Sequence, residues 1–274
     1  MRFLYPDFKT KALTFSYDDG CIQDRRLTAL LRDYGMKGTF NLCNAWFGNV
    51  SEFDHGGFWV HFEQIAREEA PALYAGHEVA SHNLAHKPVH ALNKEAKDQL
   101  SENSAALSEL MGYPVRGFAF PCGPFDHTSP DTLSSAGLAY ARTVRDTYAL
   151  SVPQDFYFWH PTCHDRDEKL EPIVKSFAGE KDPEELRLLY IWGHSFELDK
   201  NDMDRWAKLE NNLRIMKDHE EIWYATNIEI CDYINATRKS LPADGVFENR
   251  SEQTLYLIHR GERIALSPGE KMKL

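Results

Sequence analysis

Short apolar runs alternate along this chain with stretches whose apolar residues recur every three or four positions. Ala12–Tyr17 is a run of the first kind and reads as a strand. Leu27, Leu30, Leu31 and Tyr34 follow at helical spacing, and Gly35 stands where a helix ends. Gly38–Cys43 is the next predicted strand. Trp46 to Trp59 reads as a loop rich in glycine and aromatic residues, and Phe62–Leu73 as a helix. His77–Ala80 is a short predicted strand leading into SHNLAHKP. Asn93 is placed to cap a helix carrying Ala96, Leu100, Leu107 and Met111 on one face, stopped by Gly112. Strands are predicted at Gly117–Pro121 and Leu138–Val144 and, after a long loop, at Leu186–Trp192. Trp206, Leu209, Leu213 and Met216 mark another helix, Ile222–Ala225 a strand, and Asn227 a helix start. This alternation, about seven times in about 235 residues, predicts a parallel sheet with helices outside, open or closed into a barrel.

The texture changes after Arg238. The runs TLYLI and RIAL surround turn signals at Arg260-Gly261 and Pro268-Gly269, which predicts a small antiparallel β annex. The expected division is therefore residues 1–238 and 239–274.

Composition narrows the function classes. A net charge of −11 argues against nucleic acid and anionic membranes as partners, since both demand basic patches. No run approaches the ~18 apolar residues of a membrane span. The opening MRFLYPDFKTKALTF has neither an apolar segment nor a small-residue cleavage site, so a cytoplasmic location is expected. The cysteines Cys21, Cys43, Cys122, Cys163 and Cys231 are scattered without a CxxC pair and read as reduced thiols.

In parallel βα architectures, functional groups collect at the C-terminal ends of the strands. Here Asp18 and Asp19 follow the first strand, His82 and His86 the third, Pro121-Cys122-Gly123 the fourth, and His194 the late run. His82 and His86 stand four apart, so one helical turn would aim both imidazoles the same way. With a carboxylate they make a His-His-Asp set with open coordination positions, as catalytic metal sites have.

The order TFSYDDG, GHEVASHNLAH, FAFPCG, YIWGHS resembles the polysaccharide deacetylase (NodB-homology) family of metal-dependent de-N-acetylases and esterases, over roughly residues 10–235. The resemblance implies a distorted (β/α) barrel holding one divalent metal, usually zinc, with cobalt, nickel or iron as alternatives. It implies Asp19, His82 and His86 as ligands, Asp18 as general base and His194 as general acid. An amide needs an activated nucleophile, a stabilised oxyanion and a protonated leaving nitrogen, and a backbone N–H at the Pro121-Cys122 turn suits the oxyanion.

Some positions depart from the family pattern. Ala119 stands where members often carry an arginine that orients the base, and Arg116 is too far along to be assigned that role. Asp155 and Trp159 match the substrate-lining Asp–Trp element loosely. In WHPTCHD, His160 and His164 are candidates for the rim, and Glu197 is placed either to pair with an imidazolium or to stand as a surface carboxylate. Aromatics of 46–59 and 156–164 are able to stack on sugar faces. The expected activity is removal of acetyl groups from an acetylated sugar. The alternatives are an allantoinase-like or cyclic-imidase-like hydrolase of a small amide, and a carbohydrate-binding protein that keeps its metal without turnover.

Overall fold

The computed structural model describes residues 1–54, 57, 59–88, 94–126, 129–199, 204–240 and 245–274. Its centre is a parallel sheet of eight strands, one more than the sequence pattern predicts: β1 (Lys11–Asp18), β2 (Thr39–Leu42), β3 (Glu78–Ser81), β4 (Gly117–Ala119), β5 (Tyr140–Arg142), β6 (Cys163–His164), β7 (Arg187–His194) and β8 (Ile222–Tyr224). Their order is β5-β4-β3-β2-β1-β7-β6, with β8 paired to β1. β7 runs along the whole of β1, while β8 pairs with Lys11–Leu13 and β2 with Ser16–Asp18, so β2 and β8 share one edge. Between β5 and β6 the wall is continued by Trp159, which bridges to Arg142 and exchanges backbone hydrogen bonds with Ala141 and Thr143. The sheet thus curls into a distorted barrel.

β1 and β7 are buried along nearly their whole length, polar residues included, because helices cover their outer sides and side chains fill the interior. Leu13, Phe15, Leu189 and Ile191 are buried with Leu27, Leu31, Val174, Leu213 and Met216 from the helices Asp24–Asp33, Leu170–Gly179 and Arg205–Met216. Buried polar groups tie helix ends to strands. The Lys11 ammonium donates to the carbonyls of Phe177, Ala178 and Glu180 at the end of one helix. Glu78 accepts from the Ile228 N–H at the start of helix Asn227–Lys239, whose Thr226 and Glu229 form a capping box.

Two stretches differ from their sequence reading. The predicted loop 46–59 and the first residues of the predicted helix 62–73 form an antiparallel hairpin, Val50–Asp54 against Trp59–Glu63. Only Ala70–Leu73 is α-helical within that expected helix. Alternation of inward Phe53, Val60 and Phe62 with outward Glu52, Asp54 and His61 is a period-two signal, which the spacing of Phe62, Ile65 and Ala66 obscured. Helix Lys94–Met111 is as expected, though Asn93 and the side chain of Ala96 lie outside the described residues.

The C-terminal strands are antiparallel, as anticipated, but the chain's first strand joins them. Leu255–His259 pairs with both Arg2–Leu4 and Glu262–Leu266. Phe247, Leu255 and Leu257 are buried in one cluster with Tyr5, Leu188 and Tyr233 of the barrel. Among the described residues, no helix is long and apolar enough to cross a membrane.

Candidate active site

β1 ends by breaking its own geometry. Asp19 has φ +80° and Gly20 φ +64°, which turns the second carboxylate to the side of the first. A side chain at Gly20 would be strained and would meet Leu42 at 2.8 Å, so glycine is required there. Asn83, His86 and Cys122 are also left-handed, at φ +62°, +55° and +57°. Such conformations in non-glycine residues persist only where the surroundings enforce them, and here Asp19, His86 and Cys122 line one cavity while Asn83 follows His82, which lines it too. The His82–His86 segment is consequently an irregular turn rather than the expected helical turn, although it still brings the two rings together at 4.8 Å.

Asp18 is buried, and one Nη2 of Arg142 lies 2.5 Å from both of its oxygens. Asn41 Nδ2 donates to its Oδ1 at 2.8 Å while also holding Ser16 Oγ. Burial alone would raise the Asp18 pKa. The charges of Arg142, His82 and His194 outweigh it and hold the carboxyl well below the usual range. The arginine that meets Asp18 is therefore Arg142, at the end of the next strand after Ala119. Arg142 is fully buried with its guanidinium over the Trp192 ring at 4.7 Å. Only YART at a strand end marked it in the sequence.

Asp19, His82 and His86 form a set of ligand atoms mutually within 4.8 Å. Asp19 Oδ1 lies 3.8 Å from His82 Nε2 and 3.6 Å from His86 Nε2, and it is buried without a hydrogen-bond partner. His82 Nδ1 lies 2.9 Å from the Ala119 carbonyl, so its N–H is fixed there and the Nε2 lone pair faces Asp19. Burial lowers the His82 pKa to about 4 despite Asp18 and Asp19, which keeps the ring neutral, the form a metal ligand must have. These are the spacing, burial and tautomer that a small divalent cation requires.

His194, at the end of β7, faces the same corner. Its Nε2 is 3.8 Å from Asp18 Oδ2 and 4.0 Å from Asp19 Oδ2, and its Nδ1 is 3.7 Å from Glu197 Oε2. Burial would lower its pKa, but Glu197 and the charges of Asp19 and Asp18 overturn that and raise it to about 9. Glu197 is itself buried, held 2.6 Å from Arg166 Nη1 and 3.3 Å from His164 Nε2; burial would raise its pKa, but His194 first, then His164 and Arg166, bring it down to about 2. The carboxylate after His194 is thus part of the site rather than a surface charge.

The remaining sequence candidates divide. Pro121 is buried, and Cys122 is exposed into the cavity with its sulfur 4.0 Å from His86 Nδ1. Burial and Asp19 push the Cys122 thiol up, away from thiolate. Asp155 and Trp159 are not brought to the cavity. Asp155 is exposed and accepts from the Tyr157 N–H, while Trp159 is buried among Tyr140, Phe156 and Tyr190, where it continues the barrel wall. His160 hydrogen-bonds Thr143 Oγ1 at 2.6 Å. His164 adjoins the site through Glu197 and through its ring contacts with Trp192 at 4.5 Å and His194 at 6.1 Å, and with Glu197 and His194 it forms a second cluster of ligand-type atoms.

The cavity over these groups has a volume of about 690 Å³ and is also lined by Trp46, Asn49, Ser51, Phe53, Phe62, Phe120, Val144, Trp192 and Phe196. Residues 6–141 match the family model for polysaccharide deacetylase. The chain belongs to the polysaccharide deacetylase family. Its de-N-acetylases are hydrolases acting on carbon–nitrogen bonds other than peptide bonds. The matched residues include Asp18, Asp19, His82 and His86, and they end one position before Arg142. No curated protein matches the sequence.

Among solved structures, the deacetylase chain is similar in fold to a protein from Mycobacterium smegmatis described as a polysaccharide deacetylase. That likeness has 16% identity and a TM-score of 0.60, covering 87% of this chain and 95% of the other. The Puue allantoinase is similar at 14% identity and a TM-score of 0.58, over 86% and 94% of the two chains. A Pseudomonas aeruginosa PAO1 protein, also described as a polysaccharide deacetylase, gives 14% and 0.57 over 83% and 91%.

Proposed function

We propose that this deacetylase is a metal-dependent hydrolase that removes acetyl groups from N-acetylated or O-acetylated sugars. The observation that carries the reading is one buried corner shared by a three-ligand set, an anionic carboxylate and a cationic imidazole. Asp19, His82 and His86 would hold the ion, and two imidazoles with one carboxylate suit zinc. When bound, the ion supplies Lewis acidity to a carbonyl oxygen and to water.

The other steps belong to the chain. Asp18, kept ionised and aimed by Arg142 and Asn41, accepts the proton of the attacking water. Water oxygen bonds to the acyl carbon, and the N–H of Cys122 is assigned to the carbonyl oxygen as it gains charge. His194, protonated at neutral pH, donates its proton to the departing nitrogen as the carbon–nitrogen bond breaks. Acetate and a free amine result.

A second reading keeps the same residues but acts on a small non-sugar amide, as the alternative of an allantoinase-like or cyclic-imidase-like enzyme supposes. The aromatic lining of the cavity favours it. Acetate release from acetylated mono- and oligosaccharides, and ring opening of allantoin and cyclic imides, should be measured after chelation and re-addition of zinc, cobalt or nickel. Acetate release restored by metal supports the first reading, and ring opening alone the second. Full activity in protein shown metal-free by elemental analysis would overturn both.

A further inference from the structure

We propose that the substrate carries an alkyl or aryl group beside the scissile acyl bond, and that the hairpin Val50–Asp54/Trp59–Glu63 binds that group. The inference rests on the hydrolase reading and names the chemistry its cavity selects.

The hairpin's register sets Ser51 opposite Phe62 and Phe53 opposite Val60. Strand alternation then turns Phe53 and Phe62 inward and leaves Glu52, Asp54 and His61 outside. Inside, the rings form a continuous arc. Trp46 stacks on His86 at 4.7 Å and meets Phe62 edge-on at 5.9 Å. Phe62 touches Phe53 at 5.3 Å and Phe196 at 5.1 Å, and Phe196 lies 5.5 Å from His194. Aromatic surface therefore runs without interruption from a proposed metal ligand to the proposed acid. Phe120, Val144 and Trp192 also line the cavity.

Apart from Asp18, Asp19, His82, His86 and His194, the polar side-chain groups of the described lining residues are those of Asn49 and Ser51, the indole N–H groups of Trp46 and Trp192 and the Cys122 thiol. The Trp192 indole N–H is already given to Asp146. A sugar ring buried here would leave several hydroxyls without partners, which disfavours it. An alkyl or aryl group loses nothing of that kind and gains from leaving water. The cavity's volume of about 690 Å³ is that of a small-molecule site.

The test uses the metal-loaded full chain and two substrate series. One varies the acyl group of glucosamine from acetyl to butanoyl to benzoyl, and the other holds acetyl and varies the amine from glucosamine to aniline. In at least one series kcat/KM should rise about tenfold or more with the apolar group, as added methylenes do in an apolar pocket. Phe53→Ala should cut that ratio to within about threefold of unity, a comparison independent of the fraction folded. Preference for the acetyl-glucosamine parent in both series would overturn the proposal. If no substrate turns over, the hydrolase reading fails, and binding still decides this one. Phenylbutyrate should then quench the fluorescence of Trp46 and Trp192 at concentrations about tenfold below acetate in wild type but not in Phe53→Ala, and equal affinities would overturn it.

Discussion

Replacing Arg142 with Met tests the contact the sequence did not announce. The substitution keeps an apolar stem of similar length over Trp192 and removes the cation from a pair in which both partners are buried. Breaking such a pair by removing one partner costs about 3–5 kcal/mol, because a charge is left behind in low dielectric. Asn41 still donates to Asp18, and His82 and His194 remain nearby, so the lower end of about 3 kcal/mol is expected. At roughly 2–4 °C per kcal/mol for a chain of this order of size, the melting point should fall by roughly 6–12 °C.

The pH dependence has a defined sign. The Asp18 pKa is depressed in the folded state, so its stabilisation is present above the unfolded value of about 3.9 and is lost as pH falls toward the folded value. Without Arg142 the raising effect of burial gains ground. The deficit of Arg142→Met should therefore be largest near neutrality and shrink on acidification, and the acid limb of its rate profile should move to higher pH. Thermal melts from pH 3 to 8 in chelator, with Asp18→Asn and the double variant, measure this. Each single variant strands one buried charge, whereas the double variant strands none and should recover about 2 kcal/mol relative to additivity. Simple addition of the two single penalties would refute the pairing.

Asp19→Ala should lose bound metal and activity together, whereas Asp18→Asn should keep its metal while turnover falls by about 10²–10⁴; the reverse pattern on metal analysis would exchange the two roles. His194→Ala should slow amides more than activated aryl esters, and equal losses on both would count against a proton donor. His194 has a raised pKa, so its stabilising charge is fully present below about 6.5 and is lost as pH rises through about 9. Glu197→Gln should accordingly move the alkaline limb of the rate profile to lower pH, and an unmoved limb would exclude Glu197 as the prop. Deleting residues 239–274 removes Phe247, Leu255 and Leu257 from a shared cluster and unpairs Arg2–Leu4, so the melting point should drop sharply. An unchanged melt in the shortened protein would contradict that shared core.

The residues brought together at the rim were legible because they sit where local pattern ends. Asp18-Asp19, His82, His86, Cys122 and His194 each close an apolar run. A parallel sheet collects such ends on one side, so strand prediction alone was enough to gather them. The hairpin was not legible in the same way. Phe62, Ile65 and Ala66 fit a helical period as well as a strand, and only pairing with Val50–Asp54 decides between them. Asp155 and Trp159 had the right residue types in a suitable place, yet the wall between β5 and β6 needed a large apolar side chain and took Trp159. Arg142 is 124 positions from Asp18. A sequence shows that an arginine ends a strand, but which carboxylate it faces depends on how the barrel closes around both. Local periodicity thus determined which residues reach the rim. Tertiary closure decided which charges pair, what encloses the cavity and how apolar that cavity is, because those quantities depend on contacts between elements that are adjacent only in the folded chain.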